Sequence, residues 1–305
     1  MATGRFGGAH GGRSGQRRSG DHPVGGLMGR VTARRRVVRI RRGTEPTTRA
    51  DTLAGEEPLE IRIGGQPFTV TMRTPGNDVE LATGFLVSEG IIARADDLVT
   101  ARYCAGTDAS GANTYNVLDV ALAAHVTPPA PNRSLPSSSA CGVCGKDSID
   151  DVAVRSRFDL RTDDFRVAAT TVLALPDRLR QGQKTFDKTG GLHAAGLIDA
   201  ATGEMLVIRE DIGRHNAVDK VIGWALARDL LPLRAHILQV SGRAGFELVQ
   251  KAVMAGVPML SAVSAPSSLA ADLADEQGLT LAGFVRGESM VLYTHPERVT
   301  DTTVD

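Results

Sequence analysis

The sequence predicts an α/β protein with a parallel or mixed sheet, and three observations carry that expectation. Between His236 and Val285, apolar runs and amphipathic stretches alternate as strand, helix, strand, helix, strand, the order that builds βαβ crossovers. Earlier, Leu59, Ile61 and Ile63 alternate with polar residues, Gly64-Gly65 turns the chain, and Phe68, Val70 and Met72 alternate again, the pattern of a β-hairpin. Apolar residues make up 42% of the 305, enough for a substantial core and too many for wholesale disorder.

The elements follow in chain order. Residues 1–30 hold ten glycines and read as a disordered basic arm. The span 31–126 forms an N-terminal hairpin and helix region. In it, Asn77 followed three residues later by Glu80 resembles a capping box. Ala82, Phe85 and Leu86 then share one face of a helix reaching about Ile91. Thr114 to Leu122 reads as a strand. Four prolines and four serines between Val126 and Ala140 exclude regular structure and deliver Cys141 into a mobile loop, 127–145. The remainder, 146–305, reads as an α/β ligand-binding domain. Helices are expected at 176–186, 214–229, 244–255 and 267–277. Strands are expected at 192–198, 205–209, 236–240, 257–263, 279–285 and 290–294.

Charge and composition restrict the function. Formal net charge is zero, but residues 1–50 carry twelve arginines against Asp21 and Glu45, a surplus of ten positive charges that leaves the rest ten negative. Aromatics at 4% argue against a base-stacking nucleic-acid platform. No run of 18 apolar residues predicts a membrane span, and the first 30 residues offer no apolar core for a secretory leader. Three cysteines in 305 residues make no disulfide framework, which points to a reducing cytoplasm.

Cys141-Gly-Val-Cys144-Gly145 is the sharpest local feature. Two thiols so spaced can meet one ligand or one reaction, and the glycines free the backbone. A structural zinc site would need about four ligands, whereas only Cys104 and scattered histidines remain. A redox pair normally sits between a strand and a helix. A nucleophilic thiolate on a mobile loop suits group transfer. The residues leave these three readings open. Zinc-dependent deamination is disfavoured, because the H-x-E sequence, His295-Pro-Glu297, follows the cysteines and Ala140 stands where that pattern has proline.

Two further clusters are of the anion-binding kind. Lys188-Thr-Gly-Gly-Leu-His193 and Glu210-Asp-Ile-Gly-Arg-His-Asn216 flank strands. Lys188 and Arg214 suit phosphate oxygens, Glu210 and Asp211 suit ring N–H donors, and Gly190, Gly191, His193 and His215 complete the set. Helix capping by Asp211 and a buried, satisfied His215 are the plainer alternative. Ser241-Gly-Arg243 and Ser264-Ala-Pro-Ser-Ser268 each follow a strand and open a helix. Exposed N–H groups there bind phosphate, and in open α/β sheets ligands gather at the strands' carboxyl ends. Ordinary N-capping is the alternative for either turn alone. No G-x-G-x-x-G or Walker lysine motif is present.

Together these segments resemble the formate dehydrogenase accessory sulfurtransferase family, FdhD. The matching text is Glu57-Pro-Leu-Glu60, Glu80-Leu-Ala-Thr-Gly-Phe-Leu-Val-Ser-Glu-Gly90, the cysteine loop, Thr189-Gly-Gly-Leu-His-Ala194, Glu210 through Lys220, Ser241-Gly-Arg243, Gln250-Lys251, Ser261-Ala-Val-Ser-Ala-Pro266 and Tyr293-Thr-His-Pro296, in order over residues 30–300. The resemblance implies a cytidine-deaminase-like three-layer sheet domain without the catalytic zinc, and a homodimer. It implies binding of the molybdenum bis(guanine dinucleotide) cofactor as cargo, a cysteine desulfurase as sulfur donor and formate dehydrogenase as client. Cys141 matches the persulfide-carrying cysteine and Cys144 the second loop cysteine. Phe284, Val285, Arg286, Gly287, Glu288 and Ser289 match the cofactor-binding stretch. A non-catalytic cofactor chaperone and a zinc or redox protein are the rival functions. No nucleic acid, membrane or bound metal is expected.

Overall fold

The structure, a computed structural model, describes residues 31–104, 106, 114–127 and 156–301. The basic arm at 1–30 and both Cys141 and Cys144 lie outside them. The scaffold of the second half is a six-stranded sheet of β8 (His193–Asp199), β9 (Met205–Asp211), β10 (His236–Val240), β11 (Met259–Ala262), β12 (Thr280–Arg286) and β13 (Ser289–Thr294), in the order β13-β12-β11-β10-β8-β9. β10, β11 and β12 run parallel, while β8–β10, β8–β9 and β12–β13 pair antiparallel. The expected mixed sheet is what forms. Helices α5 (Arg214–Leu226), α6 (Phe246–Met254) and α7 (Ser268–Gln277) connect its strands.

Both faces of this sheet are buried, because successive side chains of a strand point to opposite sides. Leu238, Leu260 and Leu281 enter one apolar cluster, while their neighbours Ile237, Met259 and Ala282 enter another. The first cluster includes α5, α6, α7 and the N-terminal elements. The second is closed by Phe165, Val172 of α2 (Ala169–Leu173), Leu175 of α3 (Leu175–Gly182), and the short pair β7 (Val167–Ala168) and β14 (Val299–Thr300). The result is three layers.

The N-terminal part adds a second sheet in the order β4-β3-β6-β5: β3 (Glu57–Ile63), β4 (Gln66–Arg73), β5 (Leu98–Tyr103) and β6 (Val117–Leu122). β3 and β4 are the expected hairpin, turned by Gly64 and Gly65 at φ +57° and +81°. Helix α1 (Asp78–Ser88) lies against α5 so closely that a Cβ on Gly84 would stand 1.8 Å from the Asp219 carbonyl oxygen, and one on Gly223 1.9 Å from that of Glu80. Leu59, Leu81, Leu86 and Leu118 share the first cluster with Val221 and Leu248. One core therefore joins the two parts.

Four expectations are corrected. Asn77 sits at φ 57° and makes no side-chain cap; the Glu80 carboxylate instead pairs with Arg209, and Asp78 Oδ1 accepts the Gly76 N–H at 3.1 Å. The helix also stops at Ser88, short of Ile91. The strand expected from Thr114 begins at Val117, because Tyr115 turns left-handed (φ 52°) and the Asn116 side chain accepts from the buried Arg73. The helix expected at 176–186 breaks after Gly182. There a Cβ would lie 2.0 Å from Ile208 Cδ1, and the Glu210 carboxylate draws the Thr185 and Phe186 N–H groups into the start of α4 (Phe186–Thr189). A further hairpin, β1 (Thr32–Arg39) with β2 (Thr47–Ala54), has no apolar alternation that announces it.

Candidate functional site: the carboxyl edge of the six-stranded sheet

The topology brings the separate clusters to one edge. The carboxyl ends of the parallel β10, β11 and β12 open there. β8 begins at the same edge and β9 ends there, since His193 pairs with Asp211 and Ala195 with Val240. Ser241 continues the β10 ladder: its N–H donates to the Ala194 carbonyl at 3.0 Å, and its Oγ accepts the Ala194 N–H at 2.9 Å. The next two turns are stitched together by a bridge between Ala244 and Pro266 and by the Ser267 N–H donating to the Ala244 carbonyl at 3.1 Å. Phe284 N–H then donates to the Ser264 carbonyl at 3.3 Å. A continuous rim runs from Lys188 to Ser289.

Gly283 allows this stitching, since a Cβ would stand 3.0 Å from Pro266 Cδ and 3.2 Å from the Ser264 carbonyl oxygen. Phe284, at φ 50° and 37% exposed, is turned outward, and the Arg286 guanidinium lies 6.0 Å from its ring centroid. Such a positive φ in an aromatic residue is strained backbone, of the kind that collects at functional sites.

Four basic residues stand on the rim, Lys188, Arg243 and Arg286 exposed and Arg214 partly so, with Glu288 exposed among them. Helices α5 and α6 begin on Gly213 and Gly245, neither carrying a side-chain cap, so their first N–H groups remain donors for an anion. α7 differs, because Ser267 Oγ accepts the Ala270 N–H at 3.2 Å. His215 Nε2 approaches Glu247 Oε2 at 3.0 Å, an electrostatic contact rather than an aligned hydrogen bond. Burial pushes the Glu247 carboxyl up, but His215 and then Arg214 outweigh it and hold the group below the usual glutamate range. His193 is held below the usual histidine value, first by burial and then by the charges of Arg214 and His215, against a smaller upward pull from Asp211. Gly242 passes close to its ring: a Cβ there would lie 3.4 Å from Nδ1.

Most of the expected ligand residues thus lie along this edge: Lys188, Gly190, Gly191, His193, Arg214, His215, Ser241, Arg243, Ser264, Phe284 and the turn from Arg286 to Ser289. Two do not face it. Val285 is wholly buried in the second cluster. Asp211 is also buried, and its carboxylate accepts from Lys220 Nζ (2.7 Å), Gly213 N–H (2.8 Å), Thr74 N–H (3.1 Å) and Asn216 Nδ2 (3.1 Å). With four donors already placed, Asp211 organises the β9–α5 turn from beneath and offers no acceptor to a ligand. Lys220 also donates to the Thr74 carbonyl at 2.9 Å. This buried pair and Glu247 escape sequence reading. A lysine among apolar helix positions was the available signal for the first; nothing local signals that Glu247 meets a histidine in another helix.

A three-layer α/β protein whose candidate site is a glycine- and arginine-bearing edge at its strands' carboxyl ends is the class that this fold and site define. The chain belongs to the FdhD/NarQ family, whose model matches residues 54–300. It is 59% identical over 273 residues to the sulfur carrier protein FdhD of Nocardia farcinica, covering 90% of this chain and 96% of that one. It is 57% identical over 278 residues to the sulfur carrier protein FdhD of Mycobacterium tuberculosis, covering 90% and 100%. The crystal structure of a formate dehydrogenase accessory protein from Desulfotalea psychrophila shares the fold at a TM-score of 0.66 and 22% identity, over 88% of this chain and 99% of that one.

Proposed function

We propose that this chain is a sulfur carrier in the maturation of formate dehydrogenase. Cys141 takes sulfur from a cysteine desulfurase as a persulfide, and the chain passes it to the molybdenum bis(guanine dinucleotide) cofactor held at the sheet's carboxyl edge. The reading includes a cytoplasmic homodimer and a fold of the cytidine-deaminase type without catalytic zinc, which the three layers support. The observation that carries it is the near full-length similarity to proteins named sulfur carrier protein FdhD, 59% identical over 90% of this chain.

The edge supplies suitable chemistry for that cargo. Guanine dinucleotides present phosphates and purine rings. Lys188, Arg214 and Arg243, with the uncapped starts of α5 and α6, are the groups for the phosphates, and the outward Phe284 is a ring face for a base. Because the chain beyond residue 50 carries a surplus of ten negative charges, retention of an anionic cargo rests on these local donors rather than on the overall field.

Sulfur loading balances without an added redox agent. The Cys141 thiolate attacks the outer sulfur of the donor's persulfide; one S–S bond forms, the donor's breaks, and the donor cysteine leaves as thiolate. The test is the intact mass of wild type and Cys141→Ala after incubation with a cysteine desulfurase and cysteine. The expected result is a gain of about one sulfur atom, removed by dithiothreitol and missing in the variant. No gain, with cofactor binding intact, would favour a chaperone that carries no sulfur.

A further inference from the structure

The hairpin β1–β2 contributes no buried side chain: among the described residues the first core residue is Leu59. Its strands pair in full register from Thr32 opposite Ala54 to Arg39 opposite Thr47, which makes an arm of about 25 Å at the usual strand rise. An isolated two-stranded hairpin is marginal in water, so ordering this one without a core calls for another use.

Its base is fixed at the candidate site. The Gly55 N–H donates to the Val31 carbonyl at 2.7 Å, and Thr74 Oγ1 donates to the Gly55 carbonyl at 2.9 Å. β2 packs on α4, and Ala54 Cβ lies 3.9 Å from the Cβ position of Gly191. The arm therefore springs from the rim segment 188–191 and extends beyond it.

The arm carries Arg34, Arg35, Arg36, Arg39, Arg41, Arg42 and Arg49, all exposed, against Glu45 and Asp51. Among the described residues its one ion pair joins Arg49 to Asp51 at 3.4 Å. Apolar residues are interleaved: Val38 is 63% exposed, Ile40 76% and Leu53 43%.

We propose that this hairpin is a docking arm for a protein partner with an acidic face, one that exchanges cargo at the adjoining edge. Arginine is enriched at protein interfaces, and exposed aliphatic side chains beside it give a partner apolar surface to cover. The span 32–54 contains no aromatic residue on which single-stranded bases could stack. Val38 and Ile40 stand at the tip end and Leu53 at the base, so a lipid surface is tested alongside the protein partners. Against the acidic chain that follows residue 50, the hairpin attracts an acidic partner and steers its approach to the rim.

The choice of partners to test rests on the proposed function; the arm itself does not. In the full-length protein, Arg34→Ser, Arg36→Ser and Arg39→Ser are combined. Binding to a purified cysteine desulfurase and to apo formate dehydrogenase is then measured in low and moderate salt, with guanosine diphosphate binding and the thermal midpoint as controls. The expected result is at least a tenfold loss of affinity for one of the two enzymes, a comparable loss for wild type on raising salt, and unchanged controls. Equal affinities for wild type and variant, or no binding of wild type to either enzyme, would overturn the proposal. So would a loss confined to self-association, duplex DNA or phosphatidylserine vesicles, which would give the arm a different occupant. Guanosine diphosphate failing to bind wild type would count against the cargo reading alone.

Discussion

Replacing Lys220 by methionine tests whether the buried pair beneath the rim holds the site together. Lys220 and Asp211 have side chains 2% and 0% exposed and meet at 2.7 Å. The substitution keeps the length of the stem but removes the ammonium from Asp211 and the hydrogen bond to the Thr74 carbonyl. Asp211 would keep its three N–H donors, from Gly213, Thr74 and Asn216, yet it would be a buried carboxylate without a countercharge. Breaking such a pair from one side costs about 3–5 kcal/mol, a large share of the roughly 5–15 kcal/mol that keeps a protein folded. Urea and thermal unfolding followed by circular dichroism should show it, with a fall in thermal midpoint of roughly 10 °C. The double variant Lys220→Met with Asp211→Asn removes the uncompensated charge but sets an amide N–H₂ against a backbone or side-chain N–H that Asp211 accepts, so it should recover only part of the loss. A single variant that costs less than about 1 kcal/mol, or a double variant worse than the single one, would refute the argument.

Three other outcomes follow from the same geometry. Gly223→Ala should destabilise by about 3 kcal/mol in urea unfolding, since its methyl would be driven into the Glu80 carbonyl at 1.9 Å; the gain in helix propensity, about 1 kcal/mol, is too small to offset it, and a neutral result would show that α1 and α5 can separate freely. His193 and His236 are both depressed below 6.5, each chiefly by burial. The unfolded chain therefore takes up their protons first, and the stability they lend is present above 6.5 and lost as pH falls through the depressed values. Urea midpoints between neutral and mildly acid pH should fall, and His236→Gln should flatten that slope. Arg243→Glu, at an exposed position on the rim, should weaken guanosine diphosphate binding about tenfold in a calorimetric titration without altering the thermal midpoint; unchanged affinity would remove Arg243 from the site.

Much of the fold was readable because strand periodicity is local. Leu59 to Met72 and the strands from His193 to Thr294 bury alternate or continuous apolar residues, and their order implied the mixed sheet. The β1–β2 hairpin was not readable, because exposed arginines on both of its faces leave no apolar period. The break between α3 and α4 was hidden for a different reason. It depends on Ile208 filling the space at Gly182 and on Glu210 capping a helix 24 residues earlier. At the site, the glycine, serine and basic residues of the turns were legible as a candidate set, and the topology brings them to one edge, while the place of Asp211 was misread because acidic residues at strand ends serve ligands and buried ion pairs alike.

By itself the sequence determined the β3–β4 hairpin and most strands and helices from His193 onward, and that glycine-, serine- and arginine-bearing turns follow those strands. Side-chain periodicity and turn chemistry act over a few residues, so they are written in the local text. The tertiary structure alone decided that five separated turns share one edge, since that depends on the strand order β13-β12-β11-β10-β8-β9. It alone decided, too, which charged groups face solvent and which are spent inside. Asp211 is withdrawn from the rim by Lys220 and by the N–H of Thr74, 137 residues away. A carboxylate's role follows from whether donors surround it in a low-dielectric interior, and those donors arrive only when distant parts of the chain pack together.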